Sequence, residues 1–310
     1  MKKFLIEQVK NFLAKTNLPY GGGVDREALS GQVANDFIKD KLSGNKPLFI
    51  ARFGWTELNT IIAFTDGIET QVKYGKIIKY LLKHFGTQPK LLKESSGFFS
   101  NDIENIKKFC QYQMEIMKNV DICTSSIKQE RFIIKYLGKQ KLVNYHSLFL
   151  PSLNEPWTKV LEGKKVLVIN PFTKSIEKQY NIKHLLFENK EFLPDFYLET
   201  YKPVQITNES DNKFNTWWDA LDYMKKEIEK RDFDVALLSC GAYGHPLCSH
   251  IKMMGKQAIY LGRNLQLMFG IRSSGWLGEK YANEHWIKPL LEDLPKNTEY
   301  NSYKALENYI

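Results

Sequence analysis

Apolar and polar positions along this chain follow two periods in turn. Short apolar runs bounded by turn residues predict buried strands at residues 47–52, 120–123, 165–169, 196–201, 235–238 and 258–261. Between them, apolar residues spaced by three and four predict helices at 1–15, 26–43, 57–64, 72–84, 101–118, 127–137 and 217–231. A further helix starts near 173–177, with Thr173 as its candidate cap. The polar stretch 207–213 reads as a surface loop or lid. The most informative segment opens with the run Val235-Ala236-Leu237-Leu238, which breaks at Ser239-Cys240-Gly241-Ala242-Tyr243-Gly244. A helical pattern follows to about Met254, and a second apolar run ends in Gly262. This is a β-α-β unit with glycines where a strand feeds a helix. Such a junction either makes an ordinary tight turn or turns unpaired N–H groups and the helix dipole toward an anionic guest.

Repetition of strand and helix predicts an α/β, Rossmann-like fold: a mainly parallel sheet with helices on both faces. Ligands of such sheets sit beyond the carboxyl ends of the strands. Three strand ends therefore stand out: Arg52-Phe53-Gly54, Asn170-Pro171-Phe172 and Ser239-Cys240-Gly241. No internal repeat or long linker is visible. The chain divides most simply into an N-terminal helical segment, residues 1–45, and an α/β domain, residues 46–310.

Composition narrows the class. With 43% hydrophobic and 25% charged residues, the 310-residue chain has the make-up of a soluble globular protein. It contains no apolar run long enough to span a bilayer. Its first six residues mimic a signal peptide, but Glu7, Lys10 and Lys15 interrupt any apolar stretch. Cys110, Cys123, Cys240 and Cys248 form no C-x-x-C pair and read as reduced, buried thiols. A cytoplasmic protein is expected. The net charge of +9 attracts phosphorylated molecules, anionic lipid or nucleic acid. The lysines are scattered and no nucleic-acid-binding signature is present, so nucleic acid is not an expected partner. Residues 1–15 place Phe4, Leu5, Val9, Phe12 and Leu13 on one helical face. That face reads as docked on its own domain or as lying on a membrane surface.

Candidate chemistry begins at Arg52, which at a strand end can fork onto phosphate or carboxylate, while Gly54 lets the backbone pass close to a ligand. Glu57 falls in the first turn of the next helix. It reads either as a partner of the helix dipole or as a carboxylate for a metal, an acceptor hydroxyl or a ribose. Lys174 in a helix's first turn opposes the dipole, and an anion there would explain it. Cys240 stands where a nucleophile elbow would, yet its spacing is not G-x-S-x-G, and a buried thiol is the simpler reading. His245 and His250 are five apart, off the spacing of a helical metal pair. Tyr243 reads as packing or as a stacking surface, Trp217 and Trp218 as core or interface, and Trp276 and Trp286 as core or as sugar-facing rings. Asp66, Asp102 and Asp219 are candidate bases.

The run Arg52-Phe53-Gly54-Trp55-Thr56-Glu57-Leu58, R-F-G-x-x-E-L after a strand, resembles the R-[IF]-G-D-G-E signature of GT-D-type glycosyltransferases. Four further blocks are similar to segments of bacterial GT-D-like proteins. They are Ser96-Gly97-Phe98-Phe99-Ser100-Asn101-Asp102, Val168-Ile169-Asn170-Pro171-Phe172, Ser239 to Leu247, and the positions Gly262, Gln266, Phe269-Gly270-Ile271 and Trp276. The resemblance spans residues 47–289. It implies transfer of a sugar from a nucleotide-diphosphate sugar to a cell-surface glycan in polysaccharide biosynthesis. A lipid-linked acceptor would bring the protein to the inner membrane face as a peripheral partner. It implies Arg52 and Glu57 as catalytic residues. Gly54, Asn170, Lys174, Ser239, Cys240, Gly241, Tyr243, Gly244, Gly262 and Gln266 follow as donor-binding residues.

The family's D-x-E acids bind Mn²⁺ or Mg²⁺, with Glu57 as the matching ligand here; no organic cofactor is implied. This chain departs at the first acid, where it carries Trp55. A single carboxylate is a poor site for either ion unless substrate phosphates complete it. Arg52, Lys174 and helix N-termini offer a cation-free alternative. A non-catalytic module that binds a nucleotide or phosphosugar is the second reading. A dinucleotide oxidoreductase is disfavoured because no G-x-G-x-x-G occurs.

Overall fold

A computed structural model describes residues 28–66, 88–100, 102–133, 136–137, 140–205, 213–272 and 280–294. The helices expected at 1–15 and 72–84, the loop 207–213 up to residue 212, and Trp276 lie outside the described residues.

Among the described residues, seven strands form one sheet: β1 (Leu48–Arg52), β2 (Ile122–Ser125), β3 (Lys141–Asn144), β4 (Lys165–Ile169), β5 (Tyr197–Tyr201), β6 (Val235–Leu238) and β7 (Gln257–Tyr260). Their order is β3-β2-β1-β7-β6-β4-β5, and every neighbouring pair is parallel. The α/β, Rossmann-like reading is therefore correct. Successive strand side chains point to opposite faces, and the core divides accordingly. Phe49, Ala51, Leu167, Ile169, Ala236 and Leu238 pack on one face, beneath the helices Trp55–Phe64, Ile103–Ile116, Trp217–Glu229 and Gly244–Met253. Leu48, Ile50, Val166, Val168, Val235 and Leu237 pack on the other, beneath Gly31–Ser43, Thr173–Asn181 and Asn264–Met268. Because both faces are covered, the strands read as continuous apolar runs rather than as alternating ones.

Three local expectations change. The segment 127–137 was expected to be α-helical, but it contains a 3-10 helix, Lys128–Phe132. The buried side chain of Glu130 turns back onto Ser125 and the Ser126 amide, and i→i+3 bonds such as Glu130 N–H to Ile127 O (3.0 Å) close the turn. Thr173 is not a cap; Phe172 holds that place. The free N–H groups of Lys174 and Ser175 instead donate to the buried carboxylate of Asp293, at 3.0 and 2.8 Å, and the Ser175 hydroxyl joins them at 2.6 Å. The edge strand β3 and the helix Gln88–Ser96 lacked a sequence signal. In β3 only Val143 is buried, and QPKLLKESS is largely polar. Among the described residues, no helix is long and apolar enough to cross a membrane.

Candidate active site

A cleft of about 370 Å³ opens at the carboxyl ends of the central strands. It draws on β1 through Arg52, on the first turn of Trp55–Phe64 through Trp55 and Glu57, and on the segment after β7 through Arg263. Tyr145 and Tyr260 also line it. The strand order places β1 beside β7, so Arg52 and Arg263, far apart in sequence, meet here.

Arg52 is the centre of the site. Its guanidinium lies 5.4 Å from the Tyr145 ring centroid and 5.6 Å from that of Tyr260, and Nη2 donates to the Phe53 carbonyl at 3.2 Å. Buried Nε has no partner among the described residues. Burial alone would lower the arginine's pKa, but Tyr145, Tyr260, Glu57 and Glu130 together raise it, so the residue stays charged. The two tyrosines are fixed by their own hydroxyls: Tyr145 donates to Leu261 O at 2.8 Å and Tyr260 to Gly241 O at 3.0 Å. Their rings thus hold the cation while their hydroxyls hold the flanking loops. Burial also raises both phenols, keeping them neutral donors.

Two glycines admit these side chains. At Gly262 a Cβ would overlap the Arg52 guanidinium, and its φ of +53° is one that other residues seldom adopt. At Gly54 a Cβ would overlap the Glu57 carboxylate, which folds back over the start of its own helix. There it meets the positive end of the dipole.

The sequence-selected residues divide by position. Arg52, Gly54, Glu57 and Gly241 line the cleft. Cys240 and Tyr243 line an adjoining hollow that shares Ser96 and Gly241 with it. Gly244 packs against the Tyr260 ring and Gly262 against Arg52, each one layer behind the cleft wall. Asn170, Lys174, Ser239 and Gln266 are not among its lining residues. Asn170 is buried and accepts from the Phe172 amide at 2.8 Å, while Lys174 is exposed and paired with Glu177 at 2.9 Å. Burial pushes the Cys240 thiol far up, which suits a packed sulfur and not a nucleophile.

Other candidates have structural duties. Asp102 caps the helix Ile103–Ile116 by accepting from the Asn105 amide at 3.0 Å, and Asp219 completes a capping box with Thr216. Trp286 is core, donating to Leu186 O at 3.0 Å. His245 is buried edge-on to Phe53, at 4.7 Å, with Nε2–H donating to the Arg52 carbonyl and Nδ1 3.2 Å from the Gln113 amide. It braces the backbone beneath Arg52.

Sequence reasoning missed Arg263, Tyr145, Tyr260 and Glu130. Arg263 directly follows a selected glycine, a signal that was present. Tyr145 follows the unpredicted strand β3, and Glu130 lay on a supposed helix.

Glu130 titrates at about 7, against an ordinary 4.5, because burial outweighs the hydrogen bonds from Ser125 and Ser126. The unfolded chain therefore releases this proton first, and the carboxyl's contribution to stability falls as pH rises from 4.5 to about 7. Burial holds His245 down to about 4, against 6.5, so the unfolded chain takes up a proton first and stability is lost as pH falls through that range. Where the two ranges overlap, the slopes oppose each other. Glu130→Gln is expected to leave the histidine slope alone, with stability rising from about pH 4 to 6.5. Urea denaturation across that range would read it; an unchanged profile would place the Glu130 titration elsewhere.

No protein-family model matches the chain, and no curated protein matches it. Among solved structures it is similar to one described as "The highly conserved domain of unknown function 1792 has a distinct glycosyltransferase fold". The match is 13% identical, covers 86% of this chain and 93% of that chain, and has a TM-score of 0.38.

Proposed function

We propose that the chain is a glycosyltransferase that moves a sugar from a nucleotide-diphosphate sugar to a hydroxyl of a cell-surface glycan. The observation that carries this reading is the meeting of charged Arg52, the Glu57 carboxylate and a helix N-terminus in one cleft at the strand ends. The blocks that resemble GT-D-type enzymes include the segments that build that cleft.

In the proposed reaction the bond from the sugar's anomeric carbon to the diphosphate oxygen breaks, and its electron pair leaves on that oxygen. Arg52 stabilises the developing charge. The acceptor oxygen forms the new bond to the anomeric carbon, and Glu57 takes its proton. A lipid-linked acceptor would suit the net charge of +9, which draws the protein toward an anionic surface.

The test is release of nucleoside diphosphate from a panel of nucleotide sugars, alongside each sugar's effect on the melting temperature. Turnover of one donor that also raises the melting temperature is expected. Glu57→Gln should cut turnover by about 100-fold or more while the donor still binds. The second reading is a binding module, favoured by Trp55 at the position of the family's first acid. A melting shift with no release by the unaltered protein would establish it. No shift and no release would overturn both.

A further inference from the structure

We infer that this cleft holds the diphosphate of its nucleotide with Arg52 and Arg263 and without a divalent cation. The inference rests on the nucleotide-sugar reading above and adds to it how the site neutralises charge.

The donor set does not fit the metal that the resemblance implies. Mg²⁺ demands near-octahedral oxygen ligands, and a single carboxylate leaves nearly all of them to water and phosphate. Among the described residues that line the cleft, Glu57 is the only carboxylate. Among the described residues generally, no three His, Cys, Asp or Glu side chains are grouped to hold a metal. Glu57 is also the base proposed above for the acceptor hydroxyl, a role that a cation on the same carboxylate would remove. It lies against Gly54 at the positive end of its own helix and contributes to the field that keeps Arg52 charged. Where the first acid of the pair would stand, Trp55 is 41% exposed on the rim. An indole there can cover a base or a sugar but offers no lone pair to a hard cation.

The cations fit the diphosphate directly. Arg52 lies over two aromatic rings, with a buried Nε that has no partner among the described residues. Arg263, just ahead of the helix Asn264–Met268, lines the same cleft. Guanidinium groups match pairs of phosphate oxygens and keep their charge at any physiological pH. As the bond to the sugar breaks, the charge gathering on the diphosphate falls to these arginines.

Calorimetric titration of UDP, GDP, dTDP and ADP into the 310-residue chain, once in EDTA and once in excess Mn²⁺, tests the inference. One nucleotide is expected to bind with a Kd that differs by less than about twofold between the two media. Arg263→Ala should weaken it about tenfold or more in both, with Arg263→Lys in between and both variants melting near the parent. Loss of about tenfold or more in EDTA, restored by Mn²⁺, would overturn the inference and leave the nucleotide reading standing. Binding indifferent to Arg263→Ala would overturn the assignment of that residue. Absence of binding in both media would overturn the inference and the nucleotide reading together.

Discussion

Arg52→Ala is expected to lower donor turnover by about 100- to 1,000-fold, the range found when one preorganised charge stabiliser is removed. The guanidinium is charged, fixed by two rings and a carbonyl, and placed on the cleft wall, so it need not reorganise as the leaving group gains charge. Arg52→Lys should recover little, since an ammonium neither lies flat over the Tyr145 and Tyr260 rings as a guanidinium can nor makes a fork. Gly262→Ala should approach the same loss without touching the reacting atoms, because its methyl would claim the space of the guanidinium. Steady-state kcat/KM for nucleoside diphosphate release is the measurement. A loss below about threefold in Arg52→Ala would remove this residue from the chemistry.

Trp217→Ala is expected to cost about 3–5 kcal/mol, the usual range for deleting a buried aromatic ring. Trp217 is fully buried, stacked on Tyr243 at 4.8 Å, and packed against Phe98 at 5.0 Å and Phe109 at 5.6 Å. The stack joins the helix Trp217–Glu229 to the loop that carries Gly241, so turnover should fall together with stability. Trp217→Phe should lose far less. It keeps a ring against Tyr243 and removes an indole N–H that is buried without a partner. Urea denaturation at constant m-value would read both variants. An alanine variant within about 1 kcal/mol of the parent would show that this cluster collapses to fill the space.

The β-α-β unit was legible from its own residues. Val235–Leu238, Gly244–Met253 and Gln257–Tyr260 are contiguous, and each carries its apolar pattern within a few residues. Arg52, Gly54 and Glu57 were legible for the same reason: a strand end, a turn and a helix start lie within six residues. β3 was not legible, since an edge strand with one buried side chain has almost no pattern to display. The 3-10 turn at Lys128–Phe132 has an apolar spacing that also suits a helix; burial of Glu130 decided between them.

Local periodicity thus determined the fold class, most of the strands and the strand end that carries Arg52, because burial on both faces of a parallel sheet leaves its mark on neighbouring positions in the chain. Tertiary structure alone brought Arg263, Tyr145 and Tyr260 to that arginine and sent the carboxylate of Asp293 to a helix start well over a hundred residues away. Such partners are chosen by strand order and by the demand of buried polar groups for hydrogen bonds. Neither constraint imposes a spacing that can be read along the chain.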